Sequence, residues 1–146
     1  MKRARTVLAA VNDDFLDGVV DWVTGDARLQ VVGRAHSGLE ALKCVASRRA
    51  ELVLVDVSLP DVHGFEVTRR IKSLPEAPLV VLLSFHDSRA ARQEGRSAGA
   101  DGFVATSETA LRLLPLVGEL LRRRTGGAAP FLTPHPSLAV PPAGPC

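Results

Sequence analysis

Five times along this chain a short apolar run gives way to a stretch whose apolar residues recur at helical spacing. Residues 7–11 read as a first strand, and Phe15, Leu16, Val19, Val20 and Val23 follow three or four positions apart. Residues 30–33 form a short second strand. Ser37 is placed to cap the next helix, with Glu40 three residues on completing a capping box. Leu39, Leu42, Val45 and Ala46 give that helix its apolar side. Residues 52–57 read as the third strand, and residues 65–71 begin a helix closed by Pro75. Residues 79–83 are the fourth strand, and residues 87–98 a helix ended by Gly99 at the expected C-cap position. Residues 103–105 and 107–124 supply the last strand and helix. Strands and helices alternating at these lengths call for right-handed crossovers and a parallel sheet covered on both faces. The expected fold is α/β, a doubly wound five-stranded parallel sheet.

A chain of 146 residues supports one domain with a real core. Its 18 basic and 16 acidic side chains nearly balance, so the whole molecule is no strong polyanion binder. Arg122, Arg123 and Arg124 are the last charged residues of the sequence. Beyond them, six of the ten prolines fall between 130 and 145, among Gly, Ala and Ser. Such a segment buries too little apolar surface to offset its ordering entropy. The expected organisation is a domain over residues 1–124 and a disordered tail over residues 125–146. The two cysteines, Cys44 and Cys146, form no readable disulfide or zinc framework, and Cys44 reads as a small core residue. The basic opening resembles a signal-peptide start, but its apolar run meets Asn12-Asp13-Asp14 at once. No segment is long enough to span a membrane. A cytoplasmic protein with no membrane partner is expected.

Open parallel sheets hold ligands and chemistry at the carboxyl ends of their strands. There the sequence presents Val11-Asn12-Asp13-Asp14 after the first strand, Asp56 at the third, Ser84 at the fourth and Thr106 after the fifth. Asp56 closes the run Leu52-Val53-Leu54-Val55, which reads as a strand buried on both faces. A lone strand-end aspartate is usually a turn former or helix cap. Together with Pro60-Asp61, Gly64, Ser84 and Gly99-Ala100-Asp101-Gly102 it reads as a site.

That combination resembles the receiver domain of bacterial two-component response regulators, over about residues 5–122. The most specific stretch is Leu52-Val53-Leu54-Val55-Asp56-Val57-Ser58-Leu59-Pro60-Asp61-Val62-His63-Gly64, followed by Ala98-Gly99-Ala100-Asp101-Gly102-Phe103-Val104. The likeness is greatest to receivers that precede helix-turn-helix output domains. It implies a flavodoxin-like sheet of strand order 2-1-3-4-5. It also implies that Asp56 accepts a phosphoryl group from a histidine kinase or phosphotransfer protein. By the same resemblance Mg²⁺ binds Asp56, the Ser58 backbone carbonyl and acidic residues after the first strand. Charge on the equatorial phosphoryl oxygens has to be neutralised, and hard oxygen donors suit that metal. Ser84 matches the hydroxyl that bonds the phosphoryl group, and Phe103 the aromatic that swings inward when the hydroxyl moves.

Two positions depart from the family. Aligning the first helix places the acidic pair at Val11 and Asn12, where valine offers no ligand and asparagine only a neutral oxygen. A one-residue slip would bring in Asp13; otherwise Asp13 and Asp14 serve the helix N-terminus. Thr106 stands where the family has a lysine that pairs with the phosphoryl group. Mg²⁺ is therefore expected to bind weakly.

His36, His63, His86 and His135 show no ligand spacing and read as loop or surface residues, with His86 near the pocket rim. Arg89, Arg92 and Arg96 read as a solvated helix face rather than a nucleic-acid surface. In the last helix Leu113, Leu114, Leu116, Val117, Leu120 and Leu121 cover a wider arc than one core-facing stripe needs. The excess either packs against the tail, is scattered exposure, or forms a dimer or downstream-partner surface. Pro115 and Gly118 within that helix are expected to kink or loosen it.

The expectation is a single-domain receiver in a phosphorelay, acting through a protein partner and not as an enzyme. A second reading is a pseudo-receiver, a binding module that works without phosphorylation. A small flavodoxin-like or hydrolytic enzyme is a third, but neither a cofactor loop nor a nucleophile elbow accompanies the sheet. Residues 126–134 resemble a linker to an output domain, as though that half were missing.

Overall fold

The computed structural model describes residues 2–127. It shows β1 (Ala4–Ala9), α1 (Asp13–Thr24), β2 (Leu29–Ala35), α2 (Gly38–Arg48), β3 (Leu52–Asp56) and α3 (Gly64–Lys72). β4 (Leu79–Ser84), α4 (Arg89–Ala98), β5 (Gly102–Ala105), a 3₁₀ turn (Thr106–Glu108) and α5 (Thr109–Gly127) complete it. All strand pairs are parallel, in the order β2-β1-β3-β4-β5. The expected α/β class and strand order both hold.

The continuous apolar run of β3 reflects burial on both faces. Val53 and Val55 pack with Val7, Val80 and Leu82 beneath α2, α3 and α4, beside Ala41, Cys44, Val67 and Ile71. Leu52 and Leu54 face the other way, with Leu8, Val81 and Leu83 against Leu16, Val19 and Val23 of α1 and Leu113, Val117 and Leu120 of α5. Alternate residues of one strand thus feed two cores, each fully buried aliphatic side chain contributing about 1.5–3 kcal/mol.

The first strand begins earlier than its apolar residues suggest. Arg5 and Thr6 disguise it. Arg5 is only 8% exposed, its Nε donating to the Arg49 carbonyl at 2.9 Å and its guanidinium lying 3.6 Å from Glu51. The Thr6 hydroxyl donates to the Ala4 carbonyl at 3.0 Å. β1 consequently ends at Ala9, and Val11 is 51% exposed. Polar residues hide part of β2 in the same way, so it runs from Leu29 to Ala35 rather than over residues 30–33.

The helix ends follow their caps. The Ser37 side chain accepts from Glu40 N at 3.1 Å, but the Glu40 carboxylate reaches past Ser37 to accept from His36 N at 3.0 Å. The box is therefore shifted by one residue on its return bond. Ser88 caps α4, which starts two residues later than residue 87, and Gly99 ends it at φ 99°.

α5 revises two expectations. It continues to Gly127, past the helix end expected at residue 124. Its wide apolar arc is also largely covered by the domain itself. Leu113, Val117 and Leu120 are buried, and Leu114, Leu116 and Leu121 pack partly buried against the same core. Leu111, at 78% exposure, is the large apolar side chain of this helix left in the open. The part of the arc beyond a single stripe is thus taken up mainly by the domain's own core, with Leu114, Leu116 and Leu121 partly exposed. Pro115 stays within the helix, on its exposed side. The N–H it lacks would have bonded the Leu111 carbonyl, which water can take there. Gly118 makes room for Arg28: a Cβ there would stand 2.3 Å from its Nη1. Arg28 in turn holds Asp26 at 2.9 and 2.5 Å, tying the turn before β2 to the middle of α5. The tail from residue 128, with His135 and Cys146, lies outside the described residues.

Candidate receiver site

Asp56 sits half-buried at the last position of β3, opposite Leu83 in the register with β4. The next residue, Val57, is already out of the strand but donates its N–H to the Leu83 carbonyl at 2.9 Å. Asp56 Oδ1 accepts from Ser58 N at 2.9 Å, an Asx turn that starts the loop to α3. Burial pushes the Asp56 carboxyl above its ordinary range. The Ser58 N–H bond and the charge of His63 pull the other way without cancelling the effect. A raised carboxylate is a more basic nucleophile.

The loop after Asp56 is clamped on both sides. Gly64 N donates to the Val57 carbonyl at 3.0 Å, and a Cβ on Gly64 would lie 2.6 Å from the Asp56 carbonyl oxygen and from Val57 Cα. Only glycine allows that approach. Asp61 reaches across to the start of α2, accepting from Gly38 N at 2.7 Å and Leu39 N at 3.1 Å. Desolvation raises the Asp61 carboxyl, but N–H donors at Val62, Gly38, Leu39 and its own backbone hold it below the usual carboxylate range. Ser58 is exposed in this loop.

Ser84 ends β4 and is 4% exposed. Its hydroxyl donates to the His86 carbonyl at 2.7 Å and accepts from His86 N at 3.2 Å, so it is turned onto its own loop. To donate to a group on Asp56 it must give up its bond to the His86 carbonyl. Phe85 beside it is 72% exposed, its ring edge-on to exposed His86 with centroids 5.3 Å apart. Phe103 is partly buried against the core, with the Arg92 guanidinium 4.9 Å above its ring. Arg92 is fixed by two bonds to Asp87, at 2.6 and 3.0 Å. The α4 arginine expected only to face solvent therefore also caps the aromatic residue. Thr106 opens the 3₁₀ turn after β5.

In the loop after β1 the polar side chains have partners of their own. Asn12 is the N-cap of α1, its Oδ1 accepting from Phe15 N at 2.9 Å. Asp13 and Asp14 lie in the first turn, and Asp13 Oδ1 is 2.5 Å from His36 Nε2. Asn12 Oδ1 is thus spent on the helix cap and Asp13 Oδ1 on His36. Among the described residues no three His, Cys, Asp or Glu side chains gather as a metal site would need.

His63 is the residue whose place the sequence did not reveal. It is the N-cap of α3, immediately before the glycine pressed onto the Asp56 carbonyl. The readable signal was its position in the turn that folds back on the strand end, not any ligand spacing.

A model of the response regulator receiver domain matches residues 10–117. The chain is 32% identical over 137 residues to the transcriptional regulatory protein UhpA of Escherichia coli (strain K12), covering 92% of this chain and 66% of that protein. It is 36% identical over 89 residues to the response regulator MprA of Mycobacterium ulcerans, covering 61% of this chain and 38% of that one. It thus spans less than two thirds of either relative. The signal receiver domain of the response regulator NarL from Mycobacterium tuberculosis superposes with a TM-score of 0.77 at 26% identity, over 86% of this chain and 99% of that one. A CheY-like receiver from Methanospirillum hungatei gives 0.79 at 20% identity over 87% and 100%, a likeness of fold. The chain belongs to the response regulator receiver domain family, the phosphorelay module of two-component signalling.

Receiver domains bind Mg²⁺ at an acidic pocket. The donors here do not fit it well. Val11 has no side-chain ligand atom, Asn12 Oδ1 is engaged in its cap and Asp13 Oδ1 with His36, so neither position of the expected acidic pair offers a free carboxylate. A small, strongly hydrated dication needs more hard, charged oxygen than that.

Proposed function

We propose that this receiver accepts a phosphoryl group on Asp56 from a histidine kinase or phosphotransfer protein and relays it as a change of surface. The observation that carries this is the half-buried carboxylate at the end of β3, raised by burial and held on a clamped turn, with Ser84 on the neighbouring strand. Phosphorylation draws the Ser84 hydroxyl off His86 toward the new oxyanions. Phe103 moves into the space released, and Arg92 loses its aromatic platform. The consequence is a changed face over α4 and β5, offered to a protein partner rather than to nucleic acid or a membrane. Arg92 on that face is already committed to Asp87, and no helix of the described residues is long and apolar enough to cross a membrane. In this reading the protein is a relay and not an enzyme with turnover, it works in the cytoplasm, and Mg²⁺ is held far more weakly than by a receiver with paired acids.

The test is incubation with acetyl phosphate, followed by intact mass and peptide mapping. One phosphoryl group on Asp56, lost in Asp56→Asn, is the expected result. No incorporation from acetyl phosphate or from a panel of phosphorylated kinases would sink the reading.

A further inference from the structure

The Phe103 ring meets α4 at two points. Gly95 leaves it room: a Cβ there would stand 3.5 Å from Phe103 Cδ2 and 3.0 Å from Leu82 Cδ1. One turn earlier on the same helix, the Arg92 guanidinium carbon lies 4.9 Å from the ring centroid, within cation–π range. Beside the ring a cleft of about 180 Å³ opens between Arg92, Arg96 and Gly102. The outer side of the ring is thus open, and Arg92 is the group laid across it.

Arg92 is itself pinned. Its Nε and Nη2 donate to the two carboxylate oxygens of Asp87, at 2.6 and 3.0 Å. Such a fork fixes the plane of a guanidinium, which one hydrogen bond cannot do, and so fixes the face it turns to the ring. Arg96, about one turn further on, is bonded instead to the neutral Gln93 at 3.3 Å. Asp87 stands one residue past His86, to whose carbonyl the Ser84 hydroxyl donates at 2.7 Å. The Ser84 bond therefore steadies the stretch of chain that carries the pin.

We propose that Asp87 and Arg92 form a latch that holds Phe103 in its present position and keeps the unphosphorylated receiver in its resting form. Arg92 is a positioning residue: it acts on the ring and not on the phosphoryl group. The latch's part in the relay rests on the phosphorylation of Asp56 proposed above, whereas its hold on the ring does not. Opening follows when Ser84 gives up the His86 carbonyl and loosens the stretch bearing Asp87. The ring then leaves the guanidinium and moves toward Ser84. Both partners are part-exposed, with side-chain exposures of 44% for Arg92 and 37% for Asp87, so the hold is modest. A modest hold suits a switch, because it biases two populations without locking either.

The test uses the full chain carrying 4-fluorophenylalanine, with the Phe103 fluorine resonance assigned from Phe103→Leu. Broadening of that resonance by a soluble nitroxide is compared in unphosphorylated wild type, Arg92→Ala, Asp87→Asn and Arg96→Ala, after thermal melts show that each is folded. A ring that swings in once unlatched is broadened less in Arg92→Ala and Asp87→Asn, although the guanidinium no longer covers it. Acetyl phosphate is then expected to label Asp56 about threefold faster in both variants. Arg96→Ala is expected to match the wild type in both measurements. Broadening that rises in Arg92→Ala reports an uncovered ring that stays where it was, and overturns the proposal. Unchanged broadening, or an equal change in Arg96→Ala, overturns it as well. A wild type that takes no label removes phosphorylation at Asp56 and the latch's part in the relay, while the hold on the ring is still decided by the nitroxide result.

Discussion

The two rims of the pocket around Asp56 are held to different tolerances. On the β3–α3 side, Gly64 presses on the Asp56 carbonyl, and Asp61 ties the loop to two N–H groups at the start of α2. On the β4–α4 side, the Ser84 hydroxyl bonds only His86 within its own loop, and Phe85 is 72% exposed. The first rim fixes Asp56. The second has few contacts to break before it moves. Under the function proposed above, a rigidly placed acceptor beside a loosely held responder is the arrangement a phosphorylation switch requires.

The sharpest way to break this comparison is Gly64→Ala. Its Cβ would meet backbone atoms 2.6 Å away, which cannot yield as a side-chain end can. A loss of about 2–3 kcal/mol in urea unfolding is expected, with slower phosphorylation of the molecules that fold. A mild effect would mean that the acceptor rim is as compliant as the other.

The next effect concerns the third approach to the pocket, after β1. Val11→Asp with Asn12→Asp should tighten Mg²⁺ binding about tenfold or more, read by calorimetric titration. If the wild type already binds as tightly, Asp13 must leave His36 and turn to the metal, and this rim would be more mobile than its cap bonds indicate.

Asp56→Asn should stabilise the protein, on the order of 0.5 kcal/mol once solvent screening of a half-exposed group is allowed for. The sign follows from burial, which raises the folded carboxyl above its unfolded value of 3.8. Stability from this group is therefore full below that value and lost as pH rises through the raised one. The gain from Asn is expected at neutral pH and should vanish in unfolding curves below about pH 4. Asp61, held low, behaves oppositely: its contribution is present above the ordinary carboxylate range and fades as pH falls through its lowered value. A destabilised Asp56→Asn at pH 7 would show that the carboxylate has a structural role.

The smallest effect is Gly118→Ala, far from either rim. The Cβ would meet the Arg28 guanidinium, the mobile end of a long side chain. The helix-propensity gain of about 1 kcal/mol should roughly offset moving it, leaving a change within about 0.5 kcal/mol in urea unfolding. A loss as large as that of Gly64→Ala would erase the distinction between backbone and side-chain contacts drawn above.

The sequence by itself determined the alternation of strands and helices, the buried third strand and the aspartate at its end. It also showed the two positions where receiver chemistry is thinned, Val11-Asn12 and Thr106. These are local facts: periodicity reports which residues want burial, and a carboxylate after an apolar run marks where burial stops. Only the tertiary structure decided what faces what. It put Arg5 and Thr6 inside β1 by giving their polar atoms partners, and it covered the apolar arc of α5 with the sheet. It joined Asp13 to His36, 23 residues apart, and pressed Gly64 onto the Asp56 main-chain carbonyl. Those pairings join elements distant in the chain, and no spacing along a single strand or helix encodes them.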